Sequence, residues 1–283
     1  MFESIKKLFW ISRPVSWPNT AFPFAAGYIV SGGQLDVTFV VGTIFFLIPY
    51  NLLMYGINDV FDYESDIKNP RKGGIEGMRE QRSFHPTILY ASIGTAIPFA
   101  IYLLSQGTFI SKLCLLMVLF LVIAYSIKYL RFKELPIVDS LTSSLHFVGP
   151  LVYALTLTNF PYGSIHVIVA FTLWGVASHA FGAVQDIIPD RTAGLHSIAT
   201  FLGARATVWF SFVCYVVAAT ILILLNPQYL PISLVGYAYA INIAPYLTLT
   251  DIASSKANRG WQRFMALNFG TGAIVTVMLL LNY

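Results

Sequence analysis

Apolar residues run in long stretches separated by short polar joints, at roughly 14–31, 37–58, 86–105, 110–127, 137–158, 164–185, 206–225, 229–249 and 261–282. Each stretch is near the roughly 20 residues that a bilayer-spanning helix needs. A transmembrane β-barrel would show alternating strands of about 10 residues instead, and no such alternation runs along the chain. The pattern predicts an all-α, polytopic membrane protein of nine transmembrane helices, folded as one domain over residues 1–283. Composition agrees: 57% of the residues are hydrophobic and 11% are charged, against about 25% charged in an average soluble domain.

The opening MFESIKKLFW is followed by Arg13, Pro14 and Pro18 rather than by an unbroken apolar core and a small-residue cleavage site. It does not read as a secretory signal, so a retained N-terminus is expected. Cys114 and Cys214 lie inside apolar runs without a partner motif and read as small packing residues.

Charge orients the bundle. With the N-terminus inside, all of the 17 basic residues except Lys112 fall on inner segments. The positive-inside rule then predicts a multi-pass plasma-membrane protein with a cytoplasmic N-terminus and an external C-terminus. The formal net charge of +4 follows from this topology, and nucleic acid is not an expected partner. Outer joints such as SGGQLD and TNFPYGS are short and nearly uncharged, whereas the loops after spans 2, 4, 6 and 8 carry the ionisable groups. The active site is therefore expected on the cytoplasmic side.

Span 2 ends in an acidic cluster of Asn58, Asp59, Asp62 and Asp66, with Glu64 interleaved. On a continuing helix, Asn51, Tyr55, Asn58/Asp59, Asp62 and Asp66 recur at steps of three and four and form one polar stripe, which leaves Glu64 off it. Carboxylates packed this closely beside a low-dielectric membrane need cations. Their hard oxygens suit Mg²⁺ bridging to a substrate phosphate, with Mn²⁺ as the alternative ion. The bland reading is a solvated acidic helix end.

Span 6, four helices later, ends in a second cluster of Gln185, Asp186, Asp190 and Arg191, followed by Gly194. Asp186 and Asp190 share a helix face at i, i+4, although Pro189 can bend the helix between them. Alone, such a pair would more often be solvated charge. Two four-helix halves would bring it to the first cluster as a second metal-clamping wall. Tyr125-Ser126, Lys128, Arg131 and Lys133 close span 4, and Arg71 and Lys72 follow the first cluster. Cations beside an acidic metal site suit a diphosphate, while anchoring by positive-inside charge explains Lys6, Lys7 and Arg259 better and Lys128 equally well. Asp139, Thr142, Ser143 and His146 recur on one face of span 5. Asp139 and Ser143, with Asn19, Asn51, Tyr55 and Gln185, are candidates for lining a substrate cavity. His146 and His179 read as packing residues.

These residues resemble the UbiA superfamily of intramembrane prenyltransferases. Asn58-Asp59-x-x-Asp62-x-x-x-Asp66 matches that family's first motif, and Asp186-x-x-x-Asp190-Arg191-x-x-Gly194 matches its second. Tyr125-Ser126 with Arg131 and Lys133 resembles its YS…R-x-K segment, and Arg13-Pro14 its opening RP. Two departures stand out. Ile127-Lys128-Tyr129 replaces the usual proline pair, and Asn69-Pro70-Arg71-Lys72-Gly73-Gly74 replaces the usual Arg-Pro. The choice among phosphate-binding cations stays open at those points.

Within the superfamily, MYGINDVFDYESDIKNPRKGG, SRPVSWPNTAFPF and LTSSLHF resemble the lycopene elongase branch. The resemblance implies transfer of a C5 unit from dimethylallyl diphosphate, or another allylic diphosphate, to a lycopene-like acceptor reached through the membrane lipid. It also implies Asp62, Asp186 and Tyr125 as catalytic residues and Asn58, Asp59, Asp62, Asp66, Asp186 and Asp190 as metal ligands. Arg71, Lys72, Lys128, Arg131, Lys133 and Arg191 would bind diphosphate, and a partner chain of a carotenoid complex remains open. The nearest rival is a quinone-, haem- or chlorophyll-type enzyme of the same superfamily. A divalent-cation transporter would need carboxylates at mid-membrane, often at broken helices, whereas these lie at helix ends.

Overall fold

The computed structural model describes residues 2–67, 73 and 78–282. Among them the chain is helical, with no strand. The elements are α1 (Phe2–Ile11), α2 (Trp17–Val30), α3 (Val37–Leu47), α4 (Pro49–Phe61), α5 (Tyr63–Asp66), α6 (His85–Ser105) and α7 (Phe109–Ser126). They continue as α8 (Val138–Leu157), α9 (Ser164–Val184), α10 (Ile187–Ala193), α11 (Ile198–Leu202), α12 (Ala204–Leu225), α13 (Leu230–Ile243) and α14 (Asn258–Asn282). Local chemistry sets several ends. Asp36 caps α3 by accepting from the Phe39 amide, and Thr108 caps α7 by accepting from the Ser111 amide.

Seven helical segments among the described residues are long and apolar enough to cross a membrane. Of the nine expected spans, 14–31 and 229–249 fall short: α2 and α13 hold 14 residues each. At about 1.5 Å per residue such a helix reaches roughly 21 Å, less than the hydrocarbon thickness. Proline explains the shortfall. Pro14 opens a separate 3₁₀ turn before α2, and α13 gives way to the 3₁₀ turn Ala244–Tyr246, which contains Pro245.

The chain divides into two compact units, Met1–Phe132 with His146–Pro161, and Lys133–Leu145 with Tyr162–Tyr283. In the first unit α4 packs on α6, α2 on α3, and α4 on α7. The core is aromatic: Phe46 lies 5.1 Å from Phe24, 4.9 Å from Phe45 and 5.1 Å from Tyr50, ring centre to ring centre. The buried Tyr50 and Tyr153 hydroxyls donate to the carbonyls of His146 and Leu103, so neither of these phenols is stranded in the apolar interior. Gly56 lets α4 approach α6, because a Cβ there would lie 2.5 Å from Ser92 Oγ. Small residues at such crossings are how membrane helices gain close packing.

One break matters for the site. Pro49 has no N–H to continue the ladder, and α3 and α4 meet at Ile48 within the apolar segment Val37–Phe61. Asn51 serves the carbonyls around that break, its Nδ2 reaching Phe46 O at 2.9 Å, Leu47 O at 3.0 Å and Thr20 Oγ1 at 2.7 Å. It is fully buried. Asn51 was expected to line a substrate cavity; it is instead a brace for the kink, because buried carbonyls freed by proline need a donor.

In the second unit α12 packs against both α9 and α13. Tyr215 stacks on Tyr239 at 5.4 Å and Trp261 on Phe264 at 4.8 Å. Outside these cores the helices stay apolar. Ile93, Ile97 and Ile101 of α6 are exposed, as are Leu113, Leu116, Met117 and Phe120 of α7. A helix apolar on all faces belongs in hydrocarbon, and the protein is a multi-pass membrane protein.

Candidate active site

The first acidic motif straddles the end of α4. Asp62 terminates that helix, and α5 resumes at once, with the Asp66 amide bonded to Asp62 O at 2.9 Å. The stripe therefore survives nearly intact, but it is shared between two sets of neighbours. Asn58 and Asp62 face the end of α7: Asn58 Nδ2 donates to Asp62 Oδ2 at 2.7 Å and to Ser126 Oγ at 3.1 Å, and the Arg131 guanidinium lies 3.8 Å from Asp62. Tyr55 and Asp59 face the N-terminal segment. Arg13 pairs with Asp59 at 2.7 Å and lies 4.1 Å above the Tyr55 ring, while the Met78 amide donates to Asp59 Oδ2 at 3.2 Å.

Burial makes these charges costly. Asp59, Asp62 and Asp66 are 4%, 5% and 8% exposed, so each needs cations or donors around it. Arg13 and Arg131, which meet the motif, each have a left-handed backbone, with φ of 51° and 37°. Such conformations in non-glycine residues persist where surrounding contacts over-determine them, and they gather at functional sites. Glu64 points away, is exposed and pairs with Arg82.

Tyr125, on the last turn of α7, is half-buried and meets His146 edge-on at 5.2 Å. Lys128 is exposed, 6.0 Å from the Tyr129 ring, and Lys133 is half-buried. Asn19, Tyr55 and Ser143 are also half-buried. Arg71 and Lys72 lie outside the described residues.

The second motif sits where α9 passes into α10. Asp186 and Asp190 are half-buried, linked through the backbone by the Asp190 amide to Asp186 O at 2.9 Å. Pro189 is accommodated in the first turn of α10, where its missing N–H costs nothing. Gln185 is buried, donating to Gly182 O and accepting from Asn258 Nδ2. Arg191, expected on a diphosphate, is bonded to Asp251 at 2.6 Å and to Thr200 O at 2.9 Å. Asp139 is likewise corrected. It is fully buried, and its carboxylate accepts from the Ser140 amide at 2.6 Å and the Ile198 amide at 2.7 Å, so it anchors α11 rather than lining a cavity. Asp251 is a residue that the motif reading missed. The available signal was a lone carboxylate beside basic residues in TLTDIASSKANRG.

Among the described residues no three His, Cys, Asp or Glu side chains cluster closely enough to hold one metal ion. Mg²⁺ commonly takes one or two protein carboxylates and completes its octahedron with water and substrate phosphate oxygens. Asn58, half-buried, and Asp62, buried, offer hard oxygen donors of that kind side by side, so the residues present fit the ion.

The UbiA prenyltransferase family model matches residues 20–270. A Dietzia protein named for C50 β-cyclic carotenoid biosynthesis is 52% identical over 96% of this chain. The chain spans 64% of that protein's length. Lycopene elongase/hydratase of Corynebacterium glutamicum is 46% identical over 99% of this chain and 98% of its own length. Among solved structures, a UbiA homolog from Archaeoglobus fulgidus bound to DMAPP and Mg²⁺ superposes with a TM-score of 0.68 at 18% identity, covering 95% of this chain and 99% of that one. The apo UbiA homolog from Aeropyrum pernix gives 0.66 at 18%, covering 93% and 96%. At that identity the likeness concerns the fold, and the fold agrees with the family match. The chain belongs to the UbiA prenyltransferase family and is a membrane-embedded prenyltransferase.

Proposed function

We propose that this protein transfers a dimethylallyl group from its diphosphate to the end of a lycopene-like polyene, giving C45 and C50 carotenoids. The observation that carries the reading is a motif pair of the prenyltransferase family in a chain 46% identical, nearly end to end, to a lycopene elongase/hydratase.

The chemistry demands that the allylic donor ionise shielded from water until the acceptor has attacked the first cation. A divalent ion, Mg²⁺ or Mn²⁺, supplies Lewis acidity toward the diphosphate oxygens. We assign Asn58, Asp62 and Asp66 of the first motif, and Asp186 and Asp190 of the second, to holding such ions. Asp59 belongs with them by motif and also fixes Arg13. Arg131 and Lys133, with Lys128, Arg71 and Lys72, supply positive charge toward the leaving group. The allylic C–O bond breaks with its electron pair going to the diphosphate. The terminal alkene of the acceptor then attacks the allylic cation, forming one C–C bond and a tertiary cation. That cation loses a proton to give an alkene or captures water and loses a proton to give an alcohol. The Tyr125 ring, held edge-on by His146, offers a π face of the kind that stabilises cations.

The membrane arrangement belongs to the same proposal. The chain forms one functional domain that crosses the plasma membrane nine times, α2 and α13 being the short passes, with the acidic motifs on the cytoplasmic side. Reporter fusions at the two termini should give a cytoplasmic signal at the N-terminus and an external one at the C-terminus. Both ends on one side would refute nine passes. The acceptor is tested by expression in lycopene-producing cells, where the pigment should shift to C45 and C50 species. Unchanged lycopene, together with prenylation of a quinone precursor by the same membranes, would favour the quinone-type rival.

A further inference from the structure

We infer that Asp251 is a positioning residue for the second acidic motif, acting through Arg191. The inference deepens the proposed function, since it rests on that motif holding the metal.

The segment after the motif is built as a short, tightly stopped path. α10 ends at Gly194, whose φ of 73° is left-handed, and the Leu195 amide folds back to Asp190 O at 2.9 Å. Ser197 and Thr200 then cap α11 reciprocally, and Asp139 holds the Ile198 amide from within the helix layer. Arg191 leaves the last turn of α10 and closes the path. One of its nitrogens donates to Thr200 O at 2.9 Å, an acceptor near the end of α11. The other donates to Asp251 Oδ2 at 2.6 Å. The second Asp251 oxygen accepts from the Ala204 amide at 2.7 Å, at the first residue of α12. A single carboxylate thus joins the cation beside Asp190 to the start of the next long helix.

The backbone leaves room for this. Gly203 has φ 80° and ψ 165°, a region open essentially to glycine alone. A Cβ at Gly203 would lie 3.1 Å from Asp251 Oδ1, close enough to push the carboxylate away.

Folding stability does not account for the arrangement. The Arg191 and Asp251 side chains are 42% and 34% exposed, and ion pairs with that exposure contribute little to folding. Position accounts for it better. Arg191 follows Asp190 directly, so a fixed guanidinium fixes the peptide that carries the ligand. Groups that orient ligands in this way typically affect metal affinity or activity by 10- to 100-fold.

The test uses the full chain in detergent, with Mn²⁺ as a spectroscopic probe and inorganic pyrophosphate present, so that metal binding is read without turnover. Asp251→Asn keeps an acceptor for the Ala204 amide and removes the charge. It should weaken Mn²⁺ binding about tenfold while melting near the wild-type temperature. Arg191→Gln should do the same, and the double variant should be no weaker than Asp251→Asn, because both changes open one latch. Lys256→Gln, an exposed change in the same turn, should bind as wild type. Wild-type affinity in Asp251→Asn, or effects of the two single changes that multiply, would overturn the inference alone. A wild-type protein that binds no Mn²⁺ with pyrophosphate would overturn it together with the metal reading.

Discussion

Asp62→Ala and Asp186→Ala are each expected to abolish prenyl transfer, a loss of at least about 10³-fold. Removing a metal ligand withdraws several kcal/mol of transition-state stabilisation, and each 1.36 kcal/mol is a factor of ten in rate. The two positions differ in what else they disturb. Asp186 is half-buried, and its removal should change stability little. Asp62 is buried between the Asn58 amide and Arg131, so alanine there also takes a carboxylate away from a partly buried cation. Asp62→Asn keeps the shape and is the cleaner reading of charge. The double variant should be little worse than either single one, as for groups that act as a unit. Glu64→Ala is the matched control: Glu64 is exposed, off the stripe and paired with Arg82, and the variant should keep substantial activity. Near-normal turnover in Asp186→Ala with loss in Glu64→Ala would dismantle the assignment.

Metal removal should be equally complete. Excess EDTA is expected to stop transfer in membranes, and added Mg²⁺ should restore it. The carboxylates of the first motif are buried, and a diphosphate brought beside them without a divalent cation sets negative charge against negative charge in a low-dielectric place. Full activity in EDTA would leave the arginines and lysines as the whole of the diphosphate site and would remove the ion from the mechanism.

The helical class, the apolar spans and both acidic motifs were legible in the sequence, because each rests on spacing along one helix. The polar stripe on α4 is such a case: a 3.6-residue period placed Asn58 and Asp62 on one side and Glu64 off it, and the side chains lie that way. What the sequence hid was long-range pairing. Asn51 has the same periodic position as the site residues, yet the kink at Pro49 turns its amide to three nearby acceptors. Asp139 lies on a polar helix face, yet it bonds the amide of Ile198, 59 residues away. Arg191 stands in a motif and bonds Asp251, 60 residues away. Periodicity reports which face a residue occupies, and it carries no information on which partner waits there. The shortness of α2 and α13 was hidden for a related reason: hydropathy counts apolar residues, and proline changes the number that are helical.

The pair of Arg13 and Asp59 has a consequence for how this protein can change over generations. The two side chains are 15% and 3% exposed, so replacing either alone takes an ion-pair partner from a buried charge, at a cost of up to about 3–5 kcal/mol. Replacing both by apolar residues of similar volume can be close to neutral. In stability alone, the paired state and the doubly apolar state are therefore separated by single-step intermediates that lose a large share of the stability of an ordinary domain. Positions 13 and 59 should drift together or not at all, and a lineage that abandons the carboxylate of the first motif's second position should be found to have abandoned the arginine as well.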